Sequence, residues 1–205
     1  MTRTRLFTQL TLTVVTLLGL TFTSSLALAN FLAFSPVFTQ TQNTSKAEAD
    51  RLLQQGIQQR QRSQFREAIE FWQKSLSIYQ KIGDRQGEAA SLNNLGSAYQ
   101  RLSQYEKGIE LYQQALPIFQ EIGDRQGEAS SLNNLGLAYR NLSQYEKGIE
   151  FFQQALLIFQ EIGDRRSEAG TLSSLGLVYR ALGQEQKARE LFEQSQAIKQ
   201  EIGID

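Results

Sequence analysis

The sequence contains no cysteine and no histidine, and only two of its 205 residues are proline. Without cysteine, the chain forms no disulfide and supplies no thiolate ligand for a metal. Without histidine, it lacks the side chain that most often exchanges protons near neutral pH. The 21 basic and 21 acidic residues give a net charge of zero. The composition therefore indicates neither a nucleic-acid-binding surface nor an acidic tail.

A long uncharged apolar run is present near the N terminus. It extends from Leu6 to Leu28, follows two arginines, and ends in an Ala-Leu-Ala sequence before Asn30. This pattern predicts a secretory signal peptide over residues 1–29 and an exported, periplasmic or secreted, protein. An uncleaved membrane anchor with extracytoplasmic repeats is the alternative, because the run is long enough to span a bilayer. Residues 30–44 are interpreted as a linker, in which Pro36 should break any helix.

The rest of the chain is a repeat with a period of forty residues. Residues 83–122 and 123–162 differ at seven positions, and weaker copies cover residues 45–82 and 163–205. A period of this length predicts a solenoid built from repeated structural units.

Each repeat carries two amphipathic helical patterns. Apolar residues recur at steps of three and four, first over residues 92–102 and then over residues 105–119. The short break at Ser103-Gln104 predicts an antiparallel helix pair. Gly83 suits the left-handed position that ends a helix, and Asp84 suits the cap of the next helix. Gly96 and Gly108 are expected where the two helices cross.

These residues resemble the tetratricopeptide repeat. The matching positions are Leu92, Leu95, Gly96 and Tyr99 in the first helix, and Gly108, Tyr112 and Ala115 in the second. The forty-residue period is similar to the long-repeat subclass of kinesin light chains and LGN/Pins scaffolds. The resemblance covers about three quarters of the chain. It implies an all-α, right-handed superhelical solenoid of antiparallel helix pairs, whose first helices line a concave, peptide-binding groove.

The groove residues follow from the resemblance. In peptide-binding relatives the asparagine before Leu-Gly bonds the ligand backbone, which corresponds to Asn94 and Asn134 here. The alternative is that the asparagines only form hydrogen bonds with neighbouring helices of the protein. Ser97 is replaced by leucine in later repeats and Gln100 by arginine, which favours a peptide with acidic residues around a large apolar side chain. The predicted peptide-binding residues are Asn93, Asn94, Gln100, Asn133, Asn134, Leu137, Arg140, Asn141, Leu177 and Arg180.

No constellation of catalytic residues, metal ligands or cofactor-binding motifs is found in the sequence. An arginine follows each capping aspartate: Arg85, Arg125 and Arg165. These arginines are interpreted as a structural ladder, in which each forms ion pairs with neighbouring acidic residues. The predicted function is a non-enzymatic scaffold for a protein or peptide partner, with no nucleic acid and no cofactor. Membrane contact is expected only through an uncleaved N terminus. Two alternatives are a weakly self-associating structural repeat protein and a sensor module of a larger signalling system.

The second helix of the last repeat is more polar than its counterparts. Glu185, Arg189, Gln196 and Lys199 replace residues that are apolar in the preceding repeat. A terminal repeat needs a polar outer face because no further repeat covers it. This helix is therefore predicted to cap the solenoid.

Overall fold

The structure, a computed structural model, describes residues 36–204, with side chains from residue 41 onward. The predicted signal peptide or anchor lies outside the described residues. The chain divides into one unit of residues 1–44 and another of residues 45–205. In the first unit, residues 36–44 are helical, in contrast to the expected linker. Pro36 begins this helix, because the first turn needs no amide hydrogen from proline and favours its fixed φ.

The described chain consists of eight α-helices and contains no strand. They are α1 Pro36–Gln61, α2 Phe65–Ile82, α3 Arg85–Arg101, α4 Tyr105–Ile122, α5 Arg125–Asn141, α6 Tyr145–Ile162, α7 Arg165–Ala181 and α8 Glu185–Glu201. The expectation of an all-α helical repeat fold is confirmed.

Consecutive helices from α2 to α8 pack against one another, and α3, α5 and α7 also make contacts in series. The core is a set of similar apolar clusters, each containing residues of neighbouring helix pairs. In one of them, Trp72 and Ile69 of α2 pack with Leu95 of α3. Because each pair buries its apolar stripes against the next pair, the first helices are left side by side on one wall.

The boundaries between repeats have the predicted geometry. Gly83, Gly123 and Gly163 have φ values of 72°, 71° and 72°, which are left-handed conformations. Asp84 Oδ1 accepts a hydrogen bond of 2.9 Å from the Gly87 amide, at the start of α3. The same capping bond occurs at the start of α5 and α7. Each boundary thus ends one helix and begins the next by local hydrogen bonding.

Glycine is required where the helices of a pair cross. A Cβ atom at Gly96 would lie 2.6 Å from the ring of Tyr112, and one at Gly108 would lie 3.1 Å from the Gly96 carbonyl oxygen. Tyr112 is fully buried. The expectation that these glycines allow close approach is confirmed, and it explains why the helix tolerates their unfavourable propensity.

The arginines after the capping aspartates form the predicted ladder. Arg85 donates to Glu88 at 2.6 Å and to Glu121 at 2.7 Å. Arg125 and Arg165 make the same two ion pairs in their own repeats. The ladder therefore joins the start of each first helix to the end of the second helix.

The outer side of α8 agrees with the predicted cap. Glu185, Arg189 and Gln196 are exposed, and Lys199 is half-buried.

No helix among residues 36–204 is long and apolar enough to span a bilayer.

Candidate functional site

A polar cavity of about 420 Å³ lies along the wall formed by the first helices. Residues of α1, α3, α5 and α7 contribute to it, so it crosses all four repeats. We call it the groove cavity. Its lining residues are Arg60, Asn93, Asn94, Ser97, Ser130, Asn133, Asn134, Phe159, Ser167, Gly170, Thr171 and Ser174.

Two of the predicted asparagines connect neighbouring repeats. Asn93 Oδ1 accepts hydrogen bonds of 3.3 Å from Ser131 Oγ and from Asn134 Nδ2. Asn133 Oδ1 accepts a bond of 3.2 Å from Thr171 Oγ1. These bonds join α3 to α5 and α5 to α7. The alternative interpretation, in which an asparagine bonds a neighbouring helix, therefore describes Asn93, Asn133 and, through its Nδ2, Asn134.

Asn94 and Asn134 retain unused hydrogen-bonding capacity at their side-chain oxygens. Asn94 donates through Nδ2 to the Ala90 carbonyl at 2.9 Å, within its own helix. Within residues 36–204, neither Asn94 Oδ1 nor Asn134 Oδ1 has a hydrogen-bond partner. Both side chains are half-buried in the groove cavity. They are therefore the two asparagines that are best placed to bond a ligand.

The remaining predicted residues do not line the groove cavity. They are Gln100, Leu137, Arg140, Asn141, Leu177 and Arg180. Leu137 is half-buried against a cluster that includes Phe152 and Leu175. Leu177 is 38% exposed. The Arg180 guanidinium lies 5.6 Å from the centre of the Phe192 ring, an arrangement suited to a cation–π interaction.

Gln100 has a structural partner. Its Oε1 accepts a 2.9 Å hydrogen bond from the Tyr112 hydroxyl. Burial raises the pKa of Tyr112, while a hydrogen bond with Ser97 acts in the opposite direction. In the next repeat, Arg140 and Phe152 replace this glutamine and tyrosine.

Arg60 is a groove residue that was not predicted from the sequence. It occupies the position forty residues before Gln100, in the same register as Arg140 and Arg180. Aligning residues 45–82 with the later repeats would therefore have identified Arg60 as a candidate groove residue. None of the residues lining the groove cavity is acidic. Arg60 consequently gives the cavity a net positive charge.

A larger cavity, of about 840 Å³, lies between α1 and α2. Ile78 on its wall is half-buried, whereas the equivalent Ile118 is 5% exposed because the preceding helix pair covers it. Two charged residues of the lining, Glu48 and Arg51, already form an ion pair of 2.6 Å. Because part of this cavity's charged lining is already paired, the groove cavity is the better candidate site.

The lining of the groove cavity consists mainly of neutral polar side chains. It contains no carboxylate, and no group of three or more potential metal-ligating residues occurs in the described part of the chain. Its amide, hydroxyl and guanidinium groups are suited to hydrogen bonding with carbonyl, amide and carboxylate groups.

Solved structures with a similar fold include several helical repeat proteins. Aspartyl phosphate phosphatase F from Bacillus subtilis matches with a TM-score of 0.73 and 21% identity, over 77% of this chain and 42% of that chain. A Rap protein complexed with competence and sporulation factor matches with a TM-score of 0.71 and 18% identity, over 76% of this chain and 44% of that chain. A Podosopora anserina putative kinesin light chain with nearly identical repeats matches with a TM-score of 0.62 and 24% identity, over 76% of each chain.

The chain thus spans less than half the length of the first two of these proteins. No curated protein matches the sequence. A family model described as tetratricopeptide repeat matches residues 47–121 and 127–201. Since these two matches cover most of the chain, the protein belongs to the tetratricopeptide repeat family.

Proposed function

We propose that the protein is a non-enzymatic interaction scaffold that binds a partner peptide along the wall of its first helices. The observation that carries this proposal is the pair of free amide oxygens, Asn94 Oδ1 and Asn134 Oδ1, in one polar cavity. Two equivalent acceptors on adjacent repeats suit the backbone amides of an extended chain. The tetratricopeptide repeat fold supports this function, because it is typical of interaction scaffolds.

The preferred ligand is a peptide with acidic residues around a large apolar side chain. Arg140 and Arg180 supply positive charge on the C-terminal half of the wall, and Leu177 supplies exposed apolar surface. Arginine binds carboxylates through forked, charge-assisted hydrogen bonds. The modest surface of four repeats favours a dissociation constant on the order of micromolar. Because the arginines are solvent-accessible, binding should weaken as salt is added.

The test begins with recovery of the partner by pull-down and continues with calorimetric titration of the purified partner. The double variant Asn94→Ala/Asn134→Ala should weaken binding about tenfold or more, since each substitution removes an acceptor from the groove cavity. Asn43→Ala is the matched control, because Asn43 is exposed, does not line the cavity and is not one of the predicted peptide-binding residues. The groove is excluded as the binding site if the double variant and Arg140→Glu/Arg180→Glu both bind normally.

We also propose that the protein is exported and that residues 1–29 are removed. The basic start, the apolar run and the small-residue cleavage pattern support this proposal. Intact-mass measurement of the mature protein distinguishes cleavage from anchoring. A chain starting at Asn30 is expected, whereas a mass that retains Arg3 and Arg5 identifies the membrane anchor.

A further inference from the structure

The cavity between α1 and α2 lies on a face that is covered by a neighbouring helix in the later repeats. There, an isoleucine of the second helix is buried in a cluster against which a leucine of the preceding second helix packs. Ile118 and Leu76 form one such arrangement, and Ile158 and Leu116 form another. Their counterpart Ile78 is half-buried, lines the cavity of about 840 Å³, and belongs to none of the apolar clusters of the described residues. The first repeat thus presents a surface of the kind that receives a helix elsewhere in the protein.

The charges on this surface are of both signs. Glu70 and Lys74 of α2 both line the cavity and are exposed, and neither has an ion-pair or hydrogen-bond partner within residues 36–204. Every equivalent of Glu70 in α4, α6 and α8 is also glutamate, but every equivalent of Lys74 is glutamine. At these two positions, opposite charges therefore occur together only in α2. We call the surface formed by Glu70, Phe71, Lys74 and Ile78 the α2 face.

This arrangement of charges is complementary to itself. A twofold axis that crosses α2 between Glu70 and Lys74 places two copies of the helix antiparallel to each other. Glu70 of each copy then faces Lys74 of the other, so a single contact produces two equivalent ion pairs. Phe71 and Ile78 are half-buried and supply apolar surface beside these pairs. Burial of the apolar surface favours association, and the charges select the antiparallel orientation.

We propose that the protein forms a symmetric dimer in which the α2 face of one copy packs against the α2 face of a second copy. A second copy is the occupant that this charge pattern fits, because the same two residues supply both partners of each ion pair. Exposed ion pairs contribute little individually, so the dimer should be weak, with a dissociation constant on the order of 10–100 μM. The cavity at the α2 face shares no lining residue with the groove cavity. The dimer is therefore independent of the proposed peptide binding.

Disulfide cross-linking tests the contact directly, because the sequence has no cysteine of its own. Gln73 is exposed and lies between Glu70 and Lys74, next to the proposed axis. Gln113 and Gln153 are its exposed equivalents in α4 and α6 and provide matched controls. The full-length chain carrying Gln73→Cys, Gln113→Cys or Gln153→Cys is oxidised mildly in mild detergent and analysed by non-reducing gel electrophoresis. Gln73→Cys should form disulfide-linked dimers about fivefold faster than either control or more, since a disulfide requires the two Cα atoms to approach closely.

Charge reversal tests the pairing, measured as the cross-linking rate in the Gln73→Cys background. Glu70→Lys alone opposes lysines to lysines, and Lys74→Glu alone opposes acids to acids, so each should slow cross-linking about tenfold. Glu70→Lys/Lys74→Glu together should restore the native rate, because both ion pairs re-form with exchanged signs. An equimolar mixture of the two single variants should also recover it, because each copy supplies the charge that the other lacks. Glu110→Lys in α4 is the matched control and should change the rate less than about twofold. Thermal unfolding of the variants provides the folding control.

Three outcomes overturn the dimer. If Gln73→Cys cross-links no faster than Gln113→Cys and Gln153→Cys, the α2 face is not a contact between copies; this result is also expected if another segment or another protein occupies the face. If the single reversals slow cross-linking but neither the double variant nor the mixture recovers it, the two residues do not pair across a twofold axis. If all charge variants cross-link at the native rate, the proposed antiparallel ion pairs are wrong. None of these results bears on the groove, which the asparagine variants test separately.

Discussion

Two glycine-to-alanine substitutions in first helices should have opposite effects on stability. Gly136 lies in α5, and a Cβ atom there would be 2.7 Å from Cδ1 of Phe152. Gly170 lies inside α7, and a Cβ atom there would meet nothing within 4 Å. Both residues are helical and neither has a positive φ. The pair therefore separates the effect of helix propensity from the effect of close helix packing.

The magnitudes follow from the contacts. Gly136→Ala requires the Phe152 ring to shift by about 0.7 Å, from 2.7 Å to an ordinary contact of 3.4 Å. Phe152 is fully buried against Leu175 and Val178, so overpacking should cost about 1–3 kcal/mol. The gain of about 1 kcal/mol in helix propensity offsets part of that cost. The expected result is a loss of about 0–2 kcal/mol for Gly136→Ala and a gain of about 0.5–1 kcal/mol for Gly170→Ala.

Urea unfolding followed by circular dichroism and by fluorescence of Trp72 measures both effects. The midpoints should move in opposite directions while the slopes stay unchanged. The melting temperatures should differ by several degrees, since about 1 kcal/mol corresponds to roughly 2–4 °C in a protein of this size. Gly136→Ala combined with Phe152→Leu should recover part of the loss. Equal stabilisation by the two single substitutions would refute the argument that close approach requires Gly136.

Two further predictions concern the helix interior and a cap. Pro117→Leu should stabilise the protein by about 1–3 kcal/mol in chemical unfolding, because interior proline disrupts a helix and α6 carries an exposed leucine at the equivalent position. Burial acts to raise the pKa of Asp84, but hydrogen bonds from Lys46 and the Gly87 amide outweigh it, so the pKa lies below its usual value. A lowered folded-state pKa contributes stability that is present above the unfolded value of about 3.9 and is lost as the pH falls through the folded value. The unfolding free energy of Asp84→Asn, and of Lys46→Met, should therefore depend less on pH in this acidic range than that of the native protein; an unchanged acid dependence in both variants would contradict this assignment.

The sequence by itself determined the helices of the repeats, their order and their boundaries at the turns between them. These features depend on interactions between residues close together in the chain, such as the Asp84 cap and the left-handed Gly83. Repetition of the pattern made each local signal stronger, so the helix crossing at Gly96 and the polar outer side of α8 were also predicted. Pro36 was misinterpreted because proline is compatible with both a linker and a first helical turn, and the local sequence does not distinguish them.

The tertiary structure decided which groove residues remain available to a ligand. Adjacent asparagines such as Asn93 and Asn94 are chemically identical in the sequence, and only the position of the next repeat shows that Asn93 is bonded to it. Tyr112 likewise engages Gln100, a residue of the other helix in its pair. Arg60 is the charged residue that lines the groove cavity, and the packing of α1 against α2 places it there. Hydrogen-bond pairing between helices depends on their relative positions to within a few tenths of an ångström, and the spacing of residues in the sequence does not specify those positions.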